Sequence, residues 1–165
     1  MKYVFTNGKI LNGTKDMQVQ EGQVILVENE RITELLPAEE AGKRNLKASG
    51  YEEIDLQGKY ILPGLINMHV HLAGNGKPQK KQRDNEALVK KIMSNGLTKA
   101  IAYNMVCGFA KDELYSGVTT IRTVGGLGDF DTRLRDDIAA GKKPGPRILD
   151  ANEGISVPCL LYTSD

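Results

Sequence analysis

Both histidines of the chain stand two residues apart, in the segment PGLINMHVHL at residues 63–72. Side chains alternate between the faces of a strand, so in an extended segment Asn67, His69 and His71 share one face and Met68, Val70 and Leu72 share the other. Two neutral imidazoles one pleat repeat apart can ligate a single ion, because imidazole nitrogen is a common donor to zinc and similar metals. The same pair can equally be satisfied histidines of a packed core strand, and a tripeptide H-x-H is too short to choose. The choice falls to the elements that must position the pair.

Those elements change character near residue 60. Before it come short β-forming stretches bounded by turn residues: YVFTNGKIL carries the tight-turn dipeptide Asn7-Gly8, and QVILVENERITELLP reads as strand, polar turn at Glu28 to Arg31, strand. An antiparallel β unit is expected. AEEAGKRNLKASGYEE is polar and without period, an exposed loop with a helical turn around Glu39 to Ala41. From Tyr60 the order becomes strand, helix, strand, helix, strand. YILPGLINMHVHL reads as one buried strand whose apolar face packs under helices. Residues 85–115 have helical spacing, with Leu88, Ile92, Leu97, Ile101, Met105 and Phe109 in period and a break at Asn95-Gly96. GVTTIRTV is the next strand. DFDTRLRDDIAAGKKPGPR is a helix capped by Asp129 or Asp131 and stopped at Gly141, and RILDAN is the third strand. Strands alternating with helices imply βαβ units and a parallel sheet, which right-handed crossovers can close into a barrel. Histidines at the C-terminal end of such a strand stand where barrel active sites are built.

Composition narrows the classes. The chain is 40% hydrophobic and 26% charged with a formal net charge of +1, which fits a globular protein and disfavours nucleic acid as a partner. No apolar run approaches the roughly 18 residues of a membrane span, and the N-terminus lacks a signal-peptide core, so a cytoplasmic protein with no membrane partner is expected. Cys107 and Cys159 lie far apart and read as free thiols. The glycine loop VGGLGDF, residues 124–130, could present N–H groups to an anion, but a tight strand-to-helix connection is the simpler reading. The basic run KPQKKQR, residues 77–83, could attract a carboxylate and is otherwise a solvated loop. Arg122 could face a pocket or cap a helix, and Tyr103 and Met105 read as packing residues.

ILPGLINMHVHL, preceded by IDLQGKY and a β unit and followed about fifty residues later by SGVTTIRTVGG, closely resembles the metal-dependent amidohydrolase superfamily. More narrowly it is similar to the branch with imidazolonepropionase and the dipeptidases that cleave Xaa-Pro bonds. The resemblance runs to about Val157. It implies an α/β fold: an incomplete TIM (β/α)8 barrel, its first three strands or so at residues 60–157, preceded by part of a small β-sandwich domain at 1–59. It implies that His69 and His71 ligate a divalent metal, zinc by default, which activates water against a C–N bond of a small-molecule substrate. Two departures stand out. Asn67 occupies a position where the family usually has aspartate, and Thr123 one where aspartate commonly follows the arginine. Both are read as neighbours of the metal shell with weakened influence on ligand basicity.

The family's remaining ligands, two further histidines and a lysine or glutamate, and its proton-shuttling aspartate belong to later strands, so no catalytic residue is assigned in this chain. A complete barrel needs on the order of 250 residues. PCLLYTSD, residues 158–165, does not continue the family pattern and reads as a non-native tail. The expectation is therefore the N-terminal part of a C–N hydrolase, inactive alone. The alternative is a non-catalytic remnant serving as an interaction or regulatory module through an exposed strand edge. Substrate and metal identity stay open, as does oligomeric state, with a homo-oligomer compatible.

Overall fold

The structure is a computed structural model, and it describes residues 1–74 and 85–153. The tail at 158–165, Cys159 and the basic run at 77–83 lie outside the described residues. The chain divides into two compact units, Met1–Pro63 and Gly64–Asp165. Among the described residues it is mixed α/β, with three small sheets and four helices.

In the first unit, β1 (Lys2–Thr6), β4 (Gln23–Glu28), β5 (Arg31–Pro37) and β6 (Glu52–Asp55) form a four-stranded sheet in the order β5-β4-β1-β6. The expected hairpin is β4–β5, antiparallel, turning at Asn29 and Glu30, both with positive φ; two such residues in succession are what a primed turn requires. The Asn7-Gly8 turn does not close a hairpin. It passes the chain from β1 to β2 (Lys9–Leu11), which belongs to a second sheet, β3-β2-β7, with β3 (Val19–Gln20) and β7 (Tyr60–Ile61). β6 lies parallel to β1, so the unit is mixed rather than purely antiparallel. Its core is Val4, Val24, Leu26, Leu36 and Ala41, the last from the short α1 (Ala38–Gly42).

The second unit is a three-stranded parallel sheet in the order β10-β9-β8, built from β8 (Leu65–Val70), β9 (Val118–Thr123) and β10 (Arg147–Leu149). Between β8 and β9 come α2 (Asn85–Met93) and α3 (Gly96–Tyr115), and between β9 and β10 comes α4 (Phe130–Ala139). The break between α2 and α3 falls at Asn95, whose side chain accepts the Thr98 N–H at 2.9 Å as an N-cap. The core gathers Val70 and Leu72, Ala102, Tyr103, Val106 and Ala110 of α3, Ile121, Phe130, Leu134 and Ile148.

Four expectations are corrected. The segment 60–72 is two strands, separated at Leu62–Gly64, because Pro63 has no N–H to continue a ladder. β8 is an edge strand and its first half is not buried: Leu65, Ile66 and Met68 are 52%, 63% and 54% exposed, so Met68 does not pack with Val70 and Leu72. The buried face of α3 runs through Ala102, Tyr103, Val106 and Ala110, which leaves Leu97, Ile101 and Met105 exposed; Tyr103 packs edge to face on Phe130 of α4. Asp131 is no cap. It lies within α4 and is buried.

Candidate metal centre

His69 sits on β8 and His71 directly follows it. The ladder with β9 pairs Asn67 with Ile121 and Val70 with Thr123, so β8 carries one extra residue over that stretch. Such a bulge re-aims side chains. Here the two rings come together edge to face, 66° between planes and 5.2 Å between centroids, with their Nε2 atoms 3.3 Å apart. Both side chains are exposed.

The second nitrogen of His71 fixes its tautomer. Nδ1 lies 3.2 Å from the Gly125 carbonyl oxygen, which can only accept, so Nδ1 carries a hydrogen and, in the neutral ring, Nε2 presents a bare lone pair. Two outcomes are then open to the Nε2 pair: an N–H···N hydrogen bond from His69, or two lone pairs addressed to one cation. Two nitrogens each 2.0–2.1 Å from a tetrahedral zinc ion stand roughly 3.3 Å apart, which is the spacing found. The donor set therefore fits two positions of such an ion. No cluster of three or more His, Cys, Asp or Glu that could hold a metal occurs among the described residues.

The other two expected residues occupy different surroundings. The Asn67 side-chain carbonyl accepts the backbone N–H of His69 at 3.2 Å, a local clasp that steadies the strand beside the pair. Thr123 is fully buried at the end of β9, and its hydroxyl oxygen accepts the Ala151 N–H at 3.3 Å. Arg122, next to it, is exposed.

The glycine loop that follows β9 is the floor of the site. A Cβ on Gly125 would sit 3.4 Å from the His71 ring, and one on Gly126 would sit 2.6–2.8 Å from the carboxylate of Asp131. The imidazole thus neighbours Gly125 and the carboxylate neighbours Gly126. The loop is pinned by the segment after β10: the Gly126 N–H donates to the Asn152 carbonyl at 2.7 Å, and the Asn152 side chain accepts from the Thr132 N–H at 3.1 Å and donates to its hydroxyl. Thr132 also donates to Asp150, which Arg135 holds at 2.7 Å. These bonds keep the Asp150 carboxyl below the usual carboxylate range, the Thr132 hydrogen bond contributing most.

Sequence reasoning missed Asp131, which is 1% exposed with no hydrogen-bond partner for either oxygen among the described residues. Burial raises its carboxyl above the ordinary range and the Asp150 charge adds to this; the nearby Thr123 hydroxyl and His71 act the other way. The Thr123 hydroxyl is close enough for that influence without meeting hydrogen-bond geometry. The signal was available: Asp131 stands three and seven residues before Leu134 and Ile138, on the apolar stripe of its own helix.

A parallel strand–helix–strand unit carries the H-x-H pair where its first strand ends, the end of a strand at which barrel sites are built. No family model matches the chain. Over 86 residues, 49% of its length, it is 35% identical to a dihydroorotase of Bacillus cytotoxicus. Over 72 residues, 44% of its length, it is 35% identical to a 5-methylthioadenosine/S-adenosylhomocysteine deaminase of Bacillus thuringiensis. A solved structure of a Xaa-Pro dipeptidase with methionine bound in its active site matches 94% of the chain, with a TM-score of 0.68 and 28% identity. The chain spans 17% and 16% of the two curated relatives and 34% of the dipeptidase. Its solved neighbours include amidohydrolase-superfamily members, among them this dipeptidase and a putative prolidase of Bifidobacterium longum that matches 95% of the chain with a TM-score of 0.68 and 28% identity. No helix among the described residues is long and apolar enough to cross a membrane.

Proposed function

We propose that this chain is the N-terminal part of a metal-dependent amidohydrolase that hydrolyses C–N bonds of amide, cyclic amide or amidine type in a small-molecule substrate. Residues 1–59 are its portion of a β-sandwich, and residues 60–157 are the first strands of a (β/α)8 barrel. His69 and His71 are two ligands of a divalent cation, zinc by default, in a cytoplasmic enzyme. The observation that carries this reading is the 3.3 Å approach of two Nε2 atoms, with the His71 tautomer set by Gly125.

A cation held there supplies Lewis acidity, lowering the pKa of water and polarising a scissile carbonyl. The chain's own residues do the rest. The Gly125 carbonyl holds the Nδ1 hydrogen of His71 and leaves Nε2 free to bind. Asn67 clasps the strand at His69. The exposed side of the pair leaves room for substrate. Because these are the only two histidines in the sequence, the 165-residue chain alone does not turn over.

The test assays the 165-residue chain against Xaa-Pro dipeptides, cyclic amides and amino-substituted heterocycles with added zinc, beside His69→Ala. No hydrolysis is expected from either, whereas a chain that also carries further histidines and a late aspartate hydrolyses one of these classes and loses that activity with His69→Ala. Turnover by the 165-residue chain that His69→Ala abolishes would overturn the inactivity, and full activity of the longer chain without His69 would overturn the ligand assignment. A second reading, a non-catalytic interaction module, draws on the exposed apolar half of the edge strand β8. It predicts a soluble complex or oligomer and zinc-independent behaviour.

A further inference from the structure

An unpartnered carboxylate in a protein interior is expensive to keep. Burial without hydrogen bonds penalises the charge, and a neighbouring carboxylate adds to the penalty. Asp131 meets both conditions. Its side chain is 1% exposed, neither oxygen has a hydrogen-bond partner among the described residues, and Asp150 lies within electrostatic range. Arg135, which pairs with Asp150 and Asp136, gives it no direct contact. An apolar residue on this stripe of α4 would serve packing better, so packing does not account for the aspartate.

Position does account for it. The Asp131 carboxylate lies against Gly126, which has no room for a side chain, and the His71 ring lies within van der Waals reach of where a Gly125 Cβ would stand. The Gly125 carbonyl is the group that orients His71. A negative charge sealed from water one peptide away from an imidazole acts on it through a medium of low dielectric, where charges interact more strongly than at a surface. The charge of opposite sign that completes such an arrangement is a cation on the far side of His71. The Thr123 hydroxyl is among the groups that act on Asp131 and both residues are buried, so a carboxylate at position 123 would be a buried neighbour of the same site.

We propose that Asp131 is a positioning residue of the metal centre: its buried charge acts across the Gly125–Gly126 bridge on His71 and strengthens the hold of the histidine pair on a divalent cation. This rests on the metal-site reading of His69 and His71. It assigns Asp131 no ligand bond.

The test measures zinc affinity of the 165-residue chain by competition with a chromophoric chelator at neutral pH, with circular dichroism as the control for folding. Asp131→Asn keeps the shape and removes the charge, and it is expected to weaken zinc by about 10- to 100-fold, the range found when groups behind metal ligands are altered. Adding Thr123→Asp to that variant returns a buried carboxylate beside the site and is expected to restore affinity to within about threefold, which a purely structural role would not do. Zinc affinity of Asp131→Asn within about twofold of the parent, while His71→Ala abolishes binding, overturns the proposal and leaves the histidine reading standing. Unchanged binding in both His69→Ala and His71→Ala overturns the histidine reading itself. Should Asp131→Asn fail to fold, the folded double variant decides: parental affinity supports the proposal, and a tenfold or greater loss overturns it.

Discussion

β8 and β9 run side by side in one sheet and differ in what they do with their side chains. β9 is central: Ile121 and Thr123 are wholly buried between neighbouring strands and the helices. β8 is the edge: Leu65, Ile66 and Met68 are about half exposed or more, and the two histidines open outward. The central strand and the loop after it form a rigid floor, held by Asn152, Thr132 and Asp150, and the edge strand lays its imidazoles on that floor. In the proposed site the accessible strand therefore carries the donors and the loop after the inaccessible one orients them.

The largest expected effect follows from that contrast. Ile121→Ala, at the centre of the sheet, should lower unfolding free energy in urea by about 2–5 kcal/mol. A loss below about 1 kcal/mol would mean that β9 is no more packed than its neighbour. Next is Asp150→Asn. Its carboxyl titrates below the ordinary range in the folded chain, so its contribution is present above that range and is lost as pH falls through the folded value. The substitution should therefore cost about 1–3 kcal/mol at pH 7 and progressively less as acid protonates the parent.

Asp131→Asn should have the opposite sign. Burial raises this carboxyl, so ionising it costs folding free energy, and that cost grows as pH rises from the ordinary carboxylate range through the folded value. Without metal the variant should be more stable than the parent by about 1 kcal/mol at pH 7, with the gain vanishing in acid. Asp150 and His71, which face it, set how steep the change is. A destabilised variant at pH 7 would mean that Asp131 is a structural partner rather than a charge kept for function. The smallest effect is on the edge: Met68→Ser should change stability by less than about 0.5 kcal/mol, and a larger loss would show the exposed half of β8 to be covered in solution.

Much of the architecture was legible along the chain. The β4–β5 turn, the short α1, the break before Gly96, the strand GVTTIRTV and the stop at Gly141 all announce themselves through local chemistry: turn dipeptides, an asparagine cap, β-branched runs and a glycine with positive φ. Two readings went astray for reasons that no local pattern contains. Helical period identifies a stripe but not which stripe is buried, and on α3 Ala102, Tyr103, Val106 and Ala110 are buried while Leu97, Ile101 and Met105 are not. The apolar run at 60–72 reads as one strand, yet Pro63 parts it into two strands of different units. Of the two aspartates that could cap α4, Asp129 holds the N-cap, and the spacing of Asp131 from Leu134 and Ile138 places it on the apolar face. His69 and His71 were visible at once, but their 3.3 Å approach and the Gly125 contact depend on a bulge and a loop from another strand.

The central claim is that these two imidazoles converge on one ion. Zinc K-edge X-ray absorption on the zinc-loaded 165-residue chain tests it directly. The account predicts two imidazole ligands per zinc with nitrogen at about 2.0–2.1 Å, falling to one in His69→Ala. A shell with no imidazole scattering, or one that His69→Ala and His71→Ala leave unchanged, would contradict it and return the pair to a hydrogen-bonded couple on an exposed edge.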